Sequence, residues 1–306
     1  MMTARIDERP LPLILDGGMG RELRSRGVRI PESIWSANGL IEAPDIVRQI
    51  HLDYIAAGAD IITTNTYGVI REDLAKDGIE DQFEALTRLS GQLAVEAREQ
   101  SGKEVLIAGS LPPLRGSYRP DLVGPFDQIE PEYAAQAELL EPYVDLFICE
   151  TMSAGREGYA AAHGALRTGK PVWVAWTLHE DQSGRLRSRE TIAEAAALVA
   201  DLPISGMLAN CSAPESITTA IEQLRDAGYR YWGGYANTFV PVPPLWTLDG
   251  PSDTDGLIPV REDLEPEQYA DFAQVWLDVG ATVVGGCCGT RPDHIARIKS
   301  LVAANA

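Results

Sequence analysis

The feature that most constrains this chain is an alternation of strand-like and helix-like segments repeated eight times. Short apolar or β-rich runs occupy residues 11–15, 59–63, 105–109, 146–149, 172–177, 206–209, 231–235 and 281–284. Helical spacing fills segments between them, at 44–57, 82–100, 131–140, 190–199, 214–227 and 266–279. Phe83, Leu86, Leu89, Leu93 and Ala97 show the principle, forming one apolar stripe down a helix face. Pro44 and Pro266 stand where a helix can begin. Eight such units predict an α/β fold, a (β/α)8 TIM barrel, as a single domain over residues 1–306. A doubly wound open sheet is the structural alternative.

Composition narrows the partners. The formal net charge is -19, from 45 acidic and 26 basic residues. That field opposes nucleic acid and anionic membranes, and no apolar run approaches the roughly 20 residues needed to span a bilayer. MMTARIDERPLP lacks the apolar core of a secretory signal, so the cytoplasm is the expected compartment. Four cysteines do not make a disulfide framework in a chain of this size. Two long connections stand out, at 115–128 and at 239–260, the second rich in proline, glycine and aspartate. Long loops on a barrel either carry function or wander over the surface.

Barrel chemistry sits at the C-terminal ends of the strands. Reading just past each run gives Asp16-Gly17-Gly18, Thr64-Asn65-Thr66-Tyr67, Ser110, Glu150, Asn210-Cys211, Asn237 and Gly286-Cys287-Cys288. Strand parity then separates neighbours. Glu150 shares a face with Ile148 and Leu146, so if it points into the mouth, Cys149 packs under the helices. Asp16 likewise shares a face with Ile14. Adjacent cysteines cannot both point inward from a regular strand, and Gly285-Gly286 gives the backbone freedom to turn there. Asp16 is also compatible with a turn, Glu150 with a helix cap or ion pair, and Asn65 and Asn237 with holding loops together. His51, His163 and His294 read as helix-surface residues.

Three of the four cysteines thus fall at one end of the predicted barrel. Three thiolates with one open position describe a catalytic zinc site, provided that Cys211, Cys287 and Cys288 converge. The DGGMG segment lacks the lysine of a P-loop and the full dinucleotide pattern.

These segments closely resemble the homocysteine S-methyltransferases, a family of zinc-dependent (β/α)8 barrels. The matching stretches are LDGGMGREL (15–23), GADIITTNTYG (58–68), CET (149–151), NCSAPE (210–215) and GGCCGT (285–290). The resemblance implies Zn2+ held by Cys211, Cys287 and Cys288. It implies a homocysteine site that includes Asp16 and Glu150, the latter through the amino group, with Gly17, Asn65 and Asn237 nearby. Trp35 and Tyr67 are candidates to hold a cationic methyl donor by cation–π contact. The partners it implies are small molecules, homocysteine and a methyl donor, handled by a monomer or small homo-oligomer. A sulfonium such as S-methylmethionine is the donor favoured for short forms. The alternatives are another small thiol or selenol acceptor, and a non-catalytic zinc- or thiol-sensing barrel. GSLPPLRGSYRPD (109–121) and YANTFVPVPP (235–244) depart from the family pattern where a donor would touch the protein.

Overall fold

The structure is a computed structural model that describes residues 6–31, 33–243 and 258–304. Eight parallel strands are present: β1 (Leu13–Ile14), β2 (Ile61–Thr63), β3 (Leu106–Leu111), β4 (Leu146–Met152), β5 (Val172–Trp176), β6 (Gly206–Asn210), β7 (Tyr231–Ala236) and β8 (Val283–Gly286). The helices are α1 (Met19–Ser25), α2 (Asn38–Glu42), α3 (Pro44–Ala57), α4 (Arg71–Lys76), α5 (Phe83–Ser101), α6 (Phe126–Leu140), α7 (Gly155–Leu166), α8 (Ile192–Leu198), α9 (Pro214–Asp226), α10 (Pro266–Asp278) and α11 (Pro292–Ala304).

The strands pair in the order β1-β8-β7-β6-β5-β4-β3-β2. The ring closes between β1 and β2, where Leu15 bridges Ile61, Asp16 N donates to Ile61 O at 3.0 Å and Asp60 N donates to Ile14 O at 2.8 Å. Closure excludes the doubly wound open sheet. It also leaves no open sheet edge between first and last strands, since Leu13 and Ile14 pair with Val283 and Val284.

Local chemistry sets the helix limits. Pro44, Pro214 and Pro266 occupy first-turn positions, where the missing N–H has no intrahelical partner to lose. Thr191 and Glu194 form a reciprocal capping box on α8. Gly58 ends α3 at φ 106°, a left-handed conformation that favours glycine. One expectation fails: α6 begins at Phe126, and Pro131 lies inside it. Pro125 is the cap residue, so the helix begins before the expected 131–140 segment, and residues 126–128 of the supposed loop are helical.

Side chains alternate between two layers. Leu13, Leu15, Leu106, Leu146, Ile148, Trp173 and Leu208 fill the barrel interior. Ile14, Ile62, Ile107, Phe147 and Cys149 pack outward under the helices. Cys149 is therefore a core thiol, as parity predicts, and burial pushes its pKa upward. Ile14 faces outward, so the reading of Asp16 from Ile14 is corrected: β1 stops at Ile14, and Asp16 reaches the mouth because the chain leaves the strand there. His51 and His294 are buried and not surface residues. Both ring nitrogens of His51 are unpaired among the described residues, whereas His294 contacts the Leu264 carbonyl oxygen at 3.0 Å. No described helix is long and apolar enough to cross a membrane.

Candidate active site

Two strand ends bring the cysteines together. Cys211 follows the last residue of β6 and adopts φ 50°, which costs a non-glycine residue energy. The Asn210 side chain fixes this corner, accepting from Thr151 N at 2.8 Å and donating to Thr151 Oγ1 at 3.1 Å. Cys287 and Cys288 follow β8, secured when Cys287 N donates to Ala236 O and Thr238 N donates to Cys288 O, both at 2.9 Å. The sulfur of Cys211 lies 2.9 Å from that of Cys287 and 3.7 Å from that of Cys288. All three sulfurs fall within 4.8 Å of one another, the one such cluster of potential metal ligands found among the described residues.

The donor set fits zinc. Tetrahedral coordination with bonds of about 2.3 Å separates sulfurs by about 3.8 Å. The Cys211–Cys288 separation is close to that value, and the Cys211–Cys287 separation needs to open by less than about 1 Å. Cys211 is buried, while Cys287 and Cys288 are half-buried and face the cavity. Among the thiols, Cys211 is held well below the ordinary range by hydrogen bonds from Cys287 and Cys288, both of which rise. Thiols gathered this closely form a cluster whose protons a metal can displace.

The glycines allow close approach. A Cβ on Gly286 would collide with Thr290, and one on Gly285 would stand 2.6 Å from Leu15. A Cβ on Gly18 would stand 2.9 Å from the Cys287 carbonyl oxygen, and one on Gly17 2.6 Å from Thr290 Oγ1. The DGGMG and GGCCGT segments therefore interlock, and Gly18 N donates to Thr290 Oγ1 at 3.3 Å. The turn itself falls at Gly289, at φ 85°. Gly285 and Gly286 serve contact more than turning, which corrects the reason given for them.

Two carboxylates share the cavity. Asp16 accepts from Thr63 N at 2.8 Å and from Thr63 Oγ1 at 3.1 Å. Burial, assisted by the nearby charge of Glu150, pushes its pKa up to about 8. Glu150 accepts from Ser110 Oγ at one oxygen and from Tyr235 Oη at 3.1 Å at the other. Burial pushes Glu150 up to about 7. Neither group has a cationic partner among the described residues, so a ligand cation would relieve their desolvation.

Asp16, Gly17, Trp35, Asn65, Tyr67, Glu150 and the three cysteines all line one open cavity. Asn65 donates to Ser36 O at 2.9 Å, leaving its side-chain oxygen buried and unpaired. Tyr67 pairs its hydroxyl with Ser117 Oγ at 2.7 Å. Asn237 is not among the lining residues; it is buried beyond the end of β7, and its side-chain nitrogen and oxygen have no partner. Of the 239–260 connection, Phe239 bridges Val260 and Phe239 and Ile258 line the cavity, while residues 244–257 lie outside the described residues.

The sequence reading assigned no role to Thr63, Tyr235, Tyr118 or Arg21. Inward parity along β7, which Tyr231 and Tyr235 share, could have found Tyr235. Nothing in the spacing marks Tyr118. It hydrogen-bonds Cys211 from the 112–125 connection, and Arg187 stands 4.8 Å over its ring. Trp35, Tyr118, Thr151 and Cys211 all have positive φ, so backbone strain gathers around this one site.

The fold and site define a parallel barrel enzyme whose mouth presents a three-sulfur centre to two buried carboxylates. The homocysteine S-methyltransferase family profile matches residues 13–302. A homocysteine S-methyltransferase of Escherichia coli is 30% identical, over 98% of this chain and 97% of that protein. YbgG, a homocysteine S-methyltransferase of Bacillus subtilis, is 29% identical over 96% and 95%. A selenocysteine methyltransferase of Astragalus bisulcatus is 27% identical over 94% and 92%. The metallated crystal form of the homocysteine methyltransferase MmuM from Escherichia coli superimposes with TM-score 0.78 at 30% identity, covering 97% of this chain and 98% of that one. The chain belongs to the homocysteine S-methyltransferase family, and it is an enzyme of the methyltransferase class.

Proposed function

We propose that this protein transfers a methyl group from a sulfonium or quaternary ammonium donor, S-methylmethionine favoured, to L-homocysteine, giving methionine. The observation that carries the reading is the convergence of three cysteine sulfurs within 4.8 Å in a cavity lined by Asp16 and Glu150. Cys211, Cys287 and Cys288 would hold zinc. Bound there, zinc would keep the acceptor sulfur deprotonated near neutral pH, where a free thiol of pKa about 8.5 is mostly protonated.

The chain's own groups do the rest. Glu150 receives the acceptor ammonium, held in place by Ser110 and Tyr235, and Asp16 adds a second acceptor fixed by Thr63. Gly17 and Asn65 shape the same wall. Trp35 and Tyr67 offer ring faces to the cationic donor, and the thiol-rich lining favours positive charge. The new carbon–sulfur bond forms as the donor's bond to its methyl group breaks, and the donor leaves as a neutral thioether from a sulfonium or as a neutral tertiary amine from a quaternary ammonium. Positioning two substrates for in-line transfer supplies much of the rate. Asn237 acts from outside the cavity wall, through its backbone N–H, which donates to Ser212 O at 2.9 Å at the end of β7. The whole chain serves as one homocysteine-binding domain, monomeric or in a small homo-oligomer, without nucleic-acid or membrane partners. Free thiolates suit a cytoplasmic, reducing setting.

A methyl-donor screen tests the reading. Zinc-loaded protein is incubated with homocysteine and each donor, and methionine is detected by mass. Methionine from at least one donor is expected. Tight homocysteine binding with no transfer from any donor would sink the reading in favour of a thiol sensor. Selenocysteine joins the acceptor panel because a relative is a selenocysteine methyltransferase.

A further inference from the structure

Among the cavity-lining residues, Arg21 is the single cationic side chain. It lies on α1, its guanidinium 5.1 Å from the ring centroid of Phe239. Nη2 donates to the Ile258 carbonyl oxygen at 2.5 Å. Nε is buried without a partner, and no described carboxylate pairs with this residue, in a protein with 45 acidic side chains. Guanidinium carries five N–H donors in a planar fork suited to a carboxylate. An arginine with most of that fork unspent, in a cavity otherwise lined by thiols and carboxylates, is a site waiting for an anion.

We infer that Arg21 binds the carboxylate of the methyl donor and so selects donors that carry one. The assignment rests on the methyltransferase reading above. Its position favours the donor over the acceptor. Asp16 and Glu150 are anchored to the barrel strands by Thr63, Ser110 and Tyr235. Arg21 instead stands beside Phe239 and Ile258, residues of the connection after β7. Phe239 also offers an apolar face beside the guanidinium for the donor's methylene groups. A donor with a cationic head and an anionic tail would thus direct its head to the sulfurs and its tail to Arg21.

The test compares S-methylmethionine with trimethylsulfonium, a donor that has no carboxylate, in wild-type protein and in Arg21→Met and Arg21→Lys. In Arg21→Met, the KM for S-methylmethionine should rise roughly 10- to 100-fold, the range for losing a charge-assisted hydrogen bond. The KM for homocysteine and the rate with trimethylsulfonium should stay at wild-type values. Arg21→Lys should recover part of the loss, which guards against misfolding of the first variant. Calorimetric binding of S-methylmethionine should follow the same order. An unchanged KM for S-methylmethionine overturns the assignment, and so does a loss confined to homocysteine, which would give the carboxylate to the acceptor. If wild-type protein uses neither donor nor any other in the screen, the methyltransferase reading itself has failed.

Discussion

The Tyr235 hydroxyl reaches Glu150 Oε2 across 3.1 Å, joining β7 to β4 through the barrel mouth. The two strands are not neighbours in the sheet. Ser110 approaches the other oxygen from β3, so the carboxylate is gripped from both sides. Such a grip fixes direction, which matters if Glu150 must meet an ammonium group at one place.

Glu150→Gln should raise the homocysteine KM by roughly 10- to 100-fold, since it removes the charge from a charge-assisted contact. Tyr235→Phe should raise it by about 2- to 10-fold, because only a neutral positioning hydrogen bond is lost. Steady-state kinetics at saturating donor will rank the two. Equal effects would mean that Tyr235 touches substrate directly.

Purified protein should carry one zinc per chain. Cys287→Ser should lose the metal and the activity together, while Cys149→Ser should keep both because Cys149 packs under the helices. Elemental analysis beside methionine formation reads the result. Activity that survives complete removal of zinc contradicts the proposal.

Gly286→Ala should destabilise the protein by about 1–3 kcal/mol, the usual cost of forcing an atom into a filled space. The added methyl would strike Thr290, and Thr290 holds the cysteine loop by donating to the Cys287 carbonyl oxygen at 2.7 Å. Zinc affinity should therefore fall with the melting temperature. Gly27→Ala is an informative control: its φ of 84° strains a side chain, but its Cβ would meet no neighbour, so stability should fall with zinc affinity unchanged.

His51 gives stability a pH dependence. Burial without a partner lowers its pKa from 6.5 to about 4. A depressed folded pKa means the unfolded chain takes the proton first, so the native state loses stability as pH falls from about 6.5 toward 4. Over that window the loss approaches about 3 kcal/mol. His51→Leu should flatten this part of the curve relative to wild type in urea titrations. Parallel curves would show that His51 is charged or solvated in the native state.

The barrel and the cysteine centre were legible because both follow from period and position. Strand parity excluded Cys149 and pointed Glu150 inward, since β4 keeps a regular register as far as Cys149 and breaks it only between Cys149 and Met152. Parity failed at Asp16 because β1 is two residues long, and a strand that ends early stops dictating direction. The helix stripe method misjudged His51, whose imidazole is buried in α3 without any partner to announce it. Tyr118 and Arg21 were invisible as site residues for a different reason. One arrives from an irregular connection and the other from a short helix beyond β1, and neither position is fixed by a repeating period.

The interlock between Gly17-Gly18 and the Cys287–Thr290 loop joins the segment after the first strand to the loop after the eighth. During synthesis the first strand emerges long before the eighth. Until β8 and the loop after it leave the ribosome, the growing chain has one of the three sulfurs and no finished cavity. Assembly of the three-sulfur cluster is thereby tied to synthesis of β8. A chain that stops before β8 cannot assemble the cluster, and so could not hold a metal at the proposed site.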